Sequence, residues 1–490
     1  MQHKIKMLYL FCGIGGATAG FQNAEEEYKG IKGNFETICG IDCDPEACQD
    51  FENITGSRAV CMDLFSREQY IKFHGNEPPK GWKEIRPEDI RKACGGVKPD
   101  GVFLSAPCKG FSGLLSEKAA KSDKYQALNQ LTIRGIKLVC EAFKDDLPGI
   151  ILFENVPRIK TRGSKLLDEI REVLNEYNYV INPPKNDIHD CGEIGGLAQH
   201  RKRYLLMARN PKKIPGFIYE PTKKRVKAIG EILENMPMPG DESAGPMHRI
   251  SKLQWRTWMR LALIPAGGDW RNLENNFEIV KVIPTEKMDS IYRYQIETDG
   301  SINKDTVNID LKKENRHTSH YKVVPWNEPS GTVTGASHVA NGLISVQDIR
   351  VNSKPRNGTY GVMEWDKPAA TIIGSADVHA GAAAIADPRI PNETDKGVWI
   401  IISSDGTWHR PLTTLELAAL QGLPIKINGK PLNLAGSSDA RKRERIGNMV
   451  PTDAGEAIGR TILRALLPVL KNEIVLGCTP IWVDPIAAKL

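Results

Sequence analysis

The 490-residue sequence lacks the features that mark membrane, secreted and metal-binding proteins. It has no run of about 18 apolar residues, so it offers no candidate membrane span. Its ten cysteines include no Cys-x-x-Cys pair, so neither a zinc ribbon nor a secreted disulfide framework is indicated. The first apolar run is too short for the hydrophobic region of a signal peptide. These absences predict a cytoplasmic protein that binds neither a metal nor a membrane.

The chain has only a small excess of one charge sign. Its 66 Lys and Arg residues and 60 Asp and Glu residues leave a net charge of +6. This charge permits a polyanionic partner without requiring one, since globular proteins often carry such a charge for solubility. Hydrophobic residues make up 40% of the chain and charged residues 26%, as is usual in globular proteins. The length exceeds what one hydrophobic core supports, so two domains are predicted.

Short apolar runs alternate with helical patterns over the first part of the chain. This alternation predicts an α/β fold with a doubly wound, mostly parallel sheet, in which ligands bind at the carboxyl ends of the strands. The predicted strands are residues 7–11, 37–41, 59–62, 101–104, 149–153 and 204–208, and the predicted helices are residues 17–24, 126–144 and 165–175.

A glycine-rich turn at residues 12–16 follows the first predicted strand and precedes a helix. Such a turn lets the backbone approach a nucleotide, which the helix N-terminus then faces. The spacing differs from the dinucleotide fingerprint, and a tight turn without a ligand is an equally good interpretation. Asp42 ends the next strand, where an acid can hold ribose hydroxyls. Asp63 follows the third strand, with a helix N-cap as its alternative role.

Cys108 lies on the loop that follows the strand at residues 101–104. A lone cysteine in a loop is most often a small buried residue. Here, however, the next strand ends with a carboxylate, Glu154, and two arginines follow, Arg201 and Arg203. A nucleophile, an acid and a pair of cations near strand ends are typical of a reaction centre.

From about residue 215 the pattern breaks into proline, glycine and charge, which predicts a second unit. Within it, residues 326–332 (Trp-Asn-Glu-Pro-Ser-Gly-Thr) are echoed at residues 365–371, and eight identities share the same offset of 39 residues. The echo predicts a duplicated β-rich unit. Basic and aromatic residues interleave at 249–260 and 316–321, as a phosphate-and-base surface needs. A solvated face with buried tryptophans explains either run equally well.

Helical patterns return at residues 413–420 and 453–466, and a charged loop is predicted between them at residues 441–445. We expect this last part of the chain to rejoin the first domain.

These motifs together resemble those of the DNA cytosine-5 methyltransferases, in the order of that family. The segments that carry the resemblance are the S-adenosyl-L-methionine loop at 11–16, the nucleophile motif at 107–108, the acid motif at 154–156, the Gln-x-Arg-x-Arg motif at 199–203, the ninth block at 410–424 and the tenth block at 447–451. The resemblance implies an S-adenosylmethionine-dependent methyltransferase fold with an inserted, mixed or β-rich target-recognition domain.

The resemblance also implies a domain organisation. The first part of the catalytic domain is residues 1–214, the target-recognition domain is residues 215–407, the return to the catalytic domain is residues 408–470, and a C-terminal tail is residues 471–490.

The resemblance assigns roles to individual residues. Cys108 is the nucleophile, Glu154 the acid, and Arg201 and Arg203 orient the base and spread negative charge. The implied cofactor-binding residues are Phe11, Gly13, Gly15, Gly16, Asp42, Asp63, Leu64, Pro107, Asn448 and Val450.

The implied reaction is methylation of double-stranded DNA. Cytosine C5 is a poor nucleophile, so the Cys108 thiolate is expected to attack C6 and make C5 electron-rich enough to accept a methyl group from S-adenosyl-L-methionine. Because the target atom is buried in a duplex, the base is expected to flip out. The protein is expected to act without a metal, as a monomer and within restriction–modification.

Two departures and three rival interpretations remain open. Lys109 stands where the family usually has glutamine, and the Trp-x-x-Pro unit occurs twice where the family generally has one. The rival functions are the same chemistry on RNA, a non-catalytic S-adenosylmethionine-dependent DNA-binding module, and a nicotinamide oxidoreductase. The recognition sequence and a partner nuclease cannot be inferred from the motifs.

Overall fold

The structure is a computed structural model of the chain. It describes residues 2–107, 122–181, 187–217, 219–251, 253, 255–268, 272, 280–283, 293–296, 302–305, 323–324, 345–346, 360–372, 374, 377–378, 382–390, 400–403, 406–471 and 473. The chain forms two compact units: unit 1 is Met1–Ser251, Glu364–Ala376 and Leu412–Leu490, and unit 2 is Lys252–Met363 and Asp377–Pro411. None of the helices in these described segments is long and apolar enough to span a membrane.

Unit 1 is built on a nine-stranded sheet within the described residues. Its strands are β1 (Gln2–Leu10), β2 (Glu25–Tyr28), β3 (Ile31–Asp42), β4 (Ala59–Cys61), β5 (Gly101–Leu104), β6 (Ile150–Asn155), β7 (Val180–Ile181), β8 (Ile188–Asp190) and β9 (Lys202–Arg209). The order is β2-β3-β1-β5-β6-β9-β7, with β4 also paired to β3 and β8 to β9. Strands β4, β3, β1, β5 and β6 run parallel, whereas β2, β7, β8 and β9 pair antiparallel with their neighbours.

The helices of the described residues follow in chain order. They are α1 (Gly16–Asn23), α2 (Pro45–Thr55), α3 (Arg67–His74), α4 (Pro87–Ala93), α5 (Asp123–Ala142), α6 (Ile159–Arg162), α7 (Ser164–Glu176), α8 (Cys191–Gly195), α9 (Gly230–Leu233), α10 (Trp255–Leu263), α11 (Thr414–Leu420), α12 (Asp439–Asn448) and α13 (Thr452–Leu466), and all but α10 belong to unit 1. Short 3₁₀ turns cover Glu242–Ala244, Pro246–His248 and Pro468–Lys471.

Both faces of the unit 1 sheet are covered, because alternate side chains of a strand point to opposite faces. On one face Leu8, Leu10, Val102, Leu104 and Phe153 pack with α5 and α7. On the other face Met7, Tyr9, Phe103 and Leu152 pack with α1 and α13. The sequence predicted this doubly wound, mostly parallel sheet, and the structure confirms the fold class.

Strand register places three chain segments side by side at the carboxyl edge of the sheet. Leu10 pairs with Leu104, and Leu104 pairs with Phe153. Phe11, Ser105 and Glu154 therefore follow one residue beyond this row. Parallel strands bring their carboxyl ends to the same edge, so residues far apart in sequence meet there.

The predicted charged loop at residues 441–445 is wrong, because this segment lies in α12. Ser438 caps the helix, since its hydroxyl accepts a hydrogen bond from the Arg441 amide. The helix buries Lys442 and Arg445 as well as Ile446. Its inner face therefore has no apolar stripe by which the sequence could have indicated a helix.

Unit 2 contains a seven-stranded, mostly antiparallel sheet within the described residues. Its order is β12-β11-β10-β17-β18-β16-β15, formed by β10 (Val280–Ile283), β11 (Arg293–Ile296), β12 (Ile302–Asp305), β15 (Val362–Met363), β16 (Ala384–Asp387), β17 (Ile400–Ile402) and β18 (Trp408–Pro411). Strands β13 (Val323–Val324) and β14 (Ser345–Val346) form a separate pair, and in unit 1 β19 (Lys426–Ile427) pairs with β20 (Lys430–Pro431).

Two buried contacts stabilise unit 2. Trp258 of α10 stacks on Trp408 with ring centroids 6.1 Å apart, so this tryptophan belongs to the core and not to a base-stacking surface. Arg410 pairs with Asp387 at 2.7 Å, and both side chains are inaccessible to solvent. Apart from Ser345–Val346, the first copy of the predicted repeat (residues 326–351) lies outside the described residues, and so do residues 316–321.

Candidate active site

The carboxylate of Glu154 is the centre of a compact polar cluster at the carboxyl edge of the unit 1 sheet. Glu154 is only 7% exposed. The Ser105 hydroxyl donates a hydrogen bond to Glu154 Oε2 over 2.6 Å. Arg203 Nε lies 2.9 Å from Glu154 Oε1. Each oxygen of this buried carboxylate therefore has its own partner, which fixes its orientation.

Strand direction explains why these three residues meet. Strand β6 runs parallel to β5, so Glu154 lies beside the residue that follows β5, namely Ser105. Strand β9 runs antiparallel to β6, with Leu205 opposite Glu154. The start of β9, where Arg203 lies, therefore meets the end of β6. The sequence predicted a meeting of Glu154 and Arg203, but it gave no signal for Ser105.

Cys108 and Lys109 lie outside the described residues. The described chain stops at Pro107, which is half-buried. Ser105, which contacts Glu154, is only three residues before Cys108 in the sequence. The described structure therefore brings the start of the cysteine loop to the acid.

Arg201 lies in a buried polar environment. Its side chain is 0% exposed. Its Nη1 donates to the Ile372 carbonyl at 2.7 Å, and its Nη2 donates to the carbonyls of Gly447 and Met449 at 2.7 and 2.9 Å. Arg203 thus pairs with Glu154, whereas the contacts described for Arg201 are with backbone carbonyls. A contact between Arg201 and the base stays a prediction, and the geometry favours a positioning role.

Gln199, like Arg201, binds segments that are far away in the sequence. Its Nε2 donates to the Leu420 carbonyl and to Gln421 Oε1, both at 2.9 Å, and Gln199 is fully buried. Gln421 Nε2 in turn donates to the Ile446 carbonyl at 3.2 Å. A buried polar network of this kind holds the start of β9 against the segments around α11 and α12.

Replacement of Arg201 by methionine is expected to destabilise the protein by about 3 kcal/mol, because it leaves three buried carbonyls without their charged donor. The measurement is urea unfolding of the variant and of wild type. Lys202→Met is the control, since Lys202 is the exposed neighbour. Equal unfolding midpoints for Arg201→Met and wild type would contradict the positioning role.

Two glycines of the predicted cofactor turn occupy positions that disfavour a larger side chain. Gly15 has a φ of +87°, a left-handed conformation that disfavours any residue with a Cβ. A Cβ on Gly16 would lie 2.3 Å from the Val450 carbonyl oxygen, so only glycine permits this approach. Phe11 also adopts a left-handed backbone, with a φ of 55°, and lies half-buried. The Val450 backbone therefore lies against the turn.

Asp42 contacts the same turn from the end of β3. Its Oδ2 accepts a hydrogen bond from the Gly13 amide at 2.9 Å, and its Oδ1 accepts one from the Asp44 amide at 3.0 Å. Burial raises the pKa of the Asp42 carboxyl above its usual value, and the two amides act against that rise. The carboxylate keeps further lone pairs that can accept ribose hydroxyls.

Asp63 lies beyond the end of β4. Its Oδ1 accepts a hydrogen bond from the Phe65 amide at 3.0 Å, and its Oδ2 accepts one from Trp82 Nε1 at 3.1 Å. Leu64 is buried next to it. Asp63 therefore does not cap α3, since Ser66 takes that position.

These residues fit S-adenosyl-L-methionine. Asp42 ends β3 and contacts the glycine turn, and Asp63 follows the neighbouring strand β4. Carboxylates accept hydrogen bonds from ribose hydroxyls and from an adenine amino group. Asn448 is exposed at the end of α12, two residues before Val450. No group of three or more metal-ligating side chains occurs among the residues that the structure describes.

A second thiol near this turn is a poor nucleophile. Burial, reinforced by the Asp42 carboxylate, raises the pKa of the Cys12 thiol well above its usual value. Because the thiolate is the reactive form of cysteine, this shift disfavours Cys12 as a nucleophile.

Comparison with known proteins gives concordant similarities. Residues 5–464 match the family model described as C-5 cytosine-specific DNA methylase. The candidate type II methyltransferase M.MjaORF1200P of Methanocaldococcus jannaschii is 24% identical over 292 residues, which cover 51% of this chain and 74% of that protein.

Two solved structures share the fold. The methyltransferase EhMeth of Entamoeba histolytica superimposes with a TM-score of 0.51 at 14% identity, over 95% of this chain and 99% of that one. The Dnmt2 methyltransferase of S. pombe superimposes with a TM-score of 0.50 at 12% identity, over 96% and 99%.

Proposed function

The chain belongs to the C-5 cytosine-specific DNA methylase family, and from this premise we propose that it methylates C5 of cytosine in double-stranded DNA, using S-adenosyl-L-methionine. The family makes the protein a methyltransferase and implies S-adenosyl-L-methionine as its cofactor. The DNA substrate, the flipped base and the covalent route are the proposal.

One observation supports the proposal most strongly: the cluster of Ser105, Glu154 and Arg203 at the edge where the Cys108 loop begins. A buried carboxylate held by a hydroxyl and a guanidinium suits a group that must be aimed at a ring nitrogen. In this proposal, the cluster at the ends of β5, β6 and β9 and the Cys108 loop together surround the pyrimidine.

The proposed reaction starts when the Cys108 thiolate forms a bond to C6 of a flipped cytosine. Glu154, protonated or through a hydrogen bond, neutralises the charge that develops at N3, and C5 becomes the nucleophilic carbon of an enamine. Arg203 holds Glu154 and spreads negative charge, because its guanidinium is always charged. After methyl transfer, a base takes the C5 proton, and the bond between sulfur and C6 breaks to restore the thiolate.

The cofactor assignment follows the turn and the two acids. Bound S-adenosyl-L-methionine supplies an electrophilic methyl group on its sulfonium. The turn at residues 13–16 accommodates it, Asp42 accepts the ribose hydroxyls, Asp63 accepts the adenine amino group, and Phe11, Leu64, Pro107, Asn448 and Val450 complete the pocket.

Double-stranded DNA is favoured over RNA by the separate unit 2. Reading a duplex requires a surface that faces a groove. Unit 2, whose described residues form a seven-stranded sheet, is large enough to supply such a surface. We assign target recognition to the insertion at residues 215–407, which contains most of unit 2.

The deciding experiment measures transfer of a tritiated methyl group to duplex DNA and to tRNA. Methylation of DNA and not of tRNA is expected, with the label at cytosine C5 in base-resolution sequencing. Methylation of tRNA alone would establish the rival RNA substrate. Cofactor binding without methylation of either nucleic acid would favour a non-catalytic DNA-binding module.

The contact between Ser105 and Glu154 predicts a kinetic effect. Ser105→Ala removes a hydrogen bond to a charged group, so we expect the single-turnover methylation rate to fall about tenfold. Ser105→Thr keeps the hydroxyl and should retain most of the rate, which separates loss of the hydrogen bond from a disturbed fold. Equal rates for the alanine variant and wild type would show that the hydroxyl does not position Glu154.

A further inference from the structure

We propose that Arg134 is a positioning residue for the adenosine part of the cofactor, because it anchors the loop of Asp63 and Leu64 from helix α5. This inference rests on the proposed function, since it takes Asp63 and Leu64 as the adenine-binding residues. It adds to the site a residue that belongs to none of the cofactor motifs.

Arg134 makes three contacts that converge on this loop and its support. Its Nε donates to the Leu64 carbonyl at 2.7 Å. Its Nη2 donates to Glu84 Oε1 at 3.0 Å and to the Ile85 carbonyl at 2.9 Å. The planar guanidinium can hold these partners at once, and only 19% of the side chain is exposed to solvent.

Glu84 connects Arg134 to the residue that follows the loop, Arg67. Its second oxygen, Oε2, accepts a hydrogen bond from the Arg67 amide at 3.0 Å, at the start of α3. The loop at residues 63–66 is thus held directly at Leu64 and, through Glu84, at the helix that follows it. An ion pair that also bonds to backbone groups restrains a loop more than an isolated surface pair does.

Trp82 restrains the same loop at Asp63. Its indole N–H donates to Asp63 Oδ2 at 3.1 Å, and its ring lies 5.3 Å from that of Tyr70 on α3. Successive residues are therefore fixed, Asp63 through its side chain and Leu64 through its carbonyl. A fixed carboxylate binds a ligand better than a mobile one, because less conformational freedom is lost on binding.

Because Arg134 lies on α5, it also connects the loop of Asp63 and Leu64 to that helix. Helix α5 begins at Asp123, soon after the chain segment that carries Cys108. The same helix packs under the sheet through residues such as Leu131 and Val139. Arg134 thus ties the adenosine loop to a helix that lies between the nucleophile segment and Glu154 in the sequence.

Calorimetric titration with S-adenosyl-L-homocysteine tests the inference without requiring turnover. Arg134→Gln should bind about tenfold more weakly than wild type, since it loses the charged donor to Leu64 and Glu84. Arg134→Lys, with one ammonium in place of the fork, should lie between them. At saturating S-adenosyl-L-methionine, the single-turnover methylation rate of Arg134→Gln should stay within about twofold of wild type, as expected for a change in binding alone.

Lys137→Gln is the matched control. Lys137 is exposed on the same helix and lines the same cleft of about 430 Å³ as Arg134, so its replacement removes an equal charge without breaking these contacts. Wild-type affinity in Lys137→Gln supports the inference. Equal weakening in both glutamine variants would overturn it, because the effect would then be one of net charge.

Three further outcomes are decisive. If Arg134→Gln does not fold, Arg134→Lys and Trp82→Phe replace it. Trp82→Phe keeps an aromatic ring but loses the pyrrole part of the indole and the N–H that Asp63 accepts. Wild-type affinity in both variants would overturn the inference. If Arg134→Gln folds and binds like wild type, Arg134 is structural only. A wild-type protein that binds no S-adenosyl-L-homocysteine would instead contradict the proposed function, and with it this inference.

Discussion

Replacement of Cys108 by serine is expected to reduce methyl transfer by a factor of about 10⁴ or more, because a serine hydroxyl is far less nucleophilic than a thiolate at neutral pH. Binding of S-adenosyl-L-homocysteine should be unchanged, since the turn, Asp42 and Asp63 lie on other segments. The measurement is the single-turnover transfer of a tritiated methyl group to duplex DNA.

Covalent capture tests the same residue independently of turnover. Duplex DNA that contains 5-fluorocytosine should form a denaturant-stable adduct with wild type and none with Cys108→Ser, because fluorine at C5 prevents release of the sulfur. Cys478→Ser is the matched control, since Cys478 lies beyond the residues that match the family model. Methylation by Cys108→Ser at the rate of wild type would refute the covalent mechanism.

The sheet of unit 1 could be predicted well because its strands are short apolar runs that end at chemically distinctive residues. The predicted strand at residues 101–104 coincides with β5, and the predicted helix at residues 165–175 lies within α7. Burial on both faces removes any polar alternation from these strands, so length and flanking residues identify them.

Helix α12 and the role of Arg201 could not be predicted in the same way. The inner face of α12 is charged, and Arg445 pairs there with Asp50 of α2, a residue that is distant in sequence. Arg201 and Arg203 are two residues apart, but Arg201 contacts the Ile372 carbonyl whereas Arg203 contacts Glu154. Long-range polar partners leave no periodic signal in a sequence, and only the fold reveals them.

The contact of Ser105 with Glu154 could not be predicted from the sequence either. The residue type of Ser105 is common in turns, and a small residue after a buried strand predicts only that the strand ends. Its contact with Glu154 depends on the register of β5 against β6, which alternation of apolar residues does not determine in a strand buried on both faces.

Glu154→Gln is expected to lower the single-turnover rate by a factor of about 10² to 10⁴, as is typical for loss of an acid–base group. The variant should fold, because the cluster can accept an amide. The glutamine oxygen can face Arg203, and its NH₂ can face Ser105, whose hydroxyl can turn from donor to acceptor. Affinity for S-adenosyl-L-homocysteine and for DNA should change little, so the loss would appear in the chemical step.

The matched control is Glu36→Gln, an exposed acid on β3 that pairs with Lys4 at the surface. Such pairs contribute little, so its rate and stability should match those of wild type. Glu154→Gln can be slow in methylation and still form the adduct with 5-fluorocytosine DNA, but at a lower rate than wild type. That result would place Glu154 in the step in which Cys108 attacks. An unchanged rate in Glu154→Gln would exclude that role and leave the carboxylate as a partner that only holds Arg203.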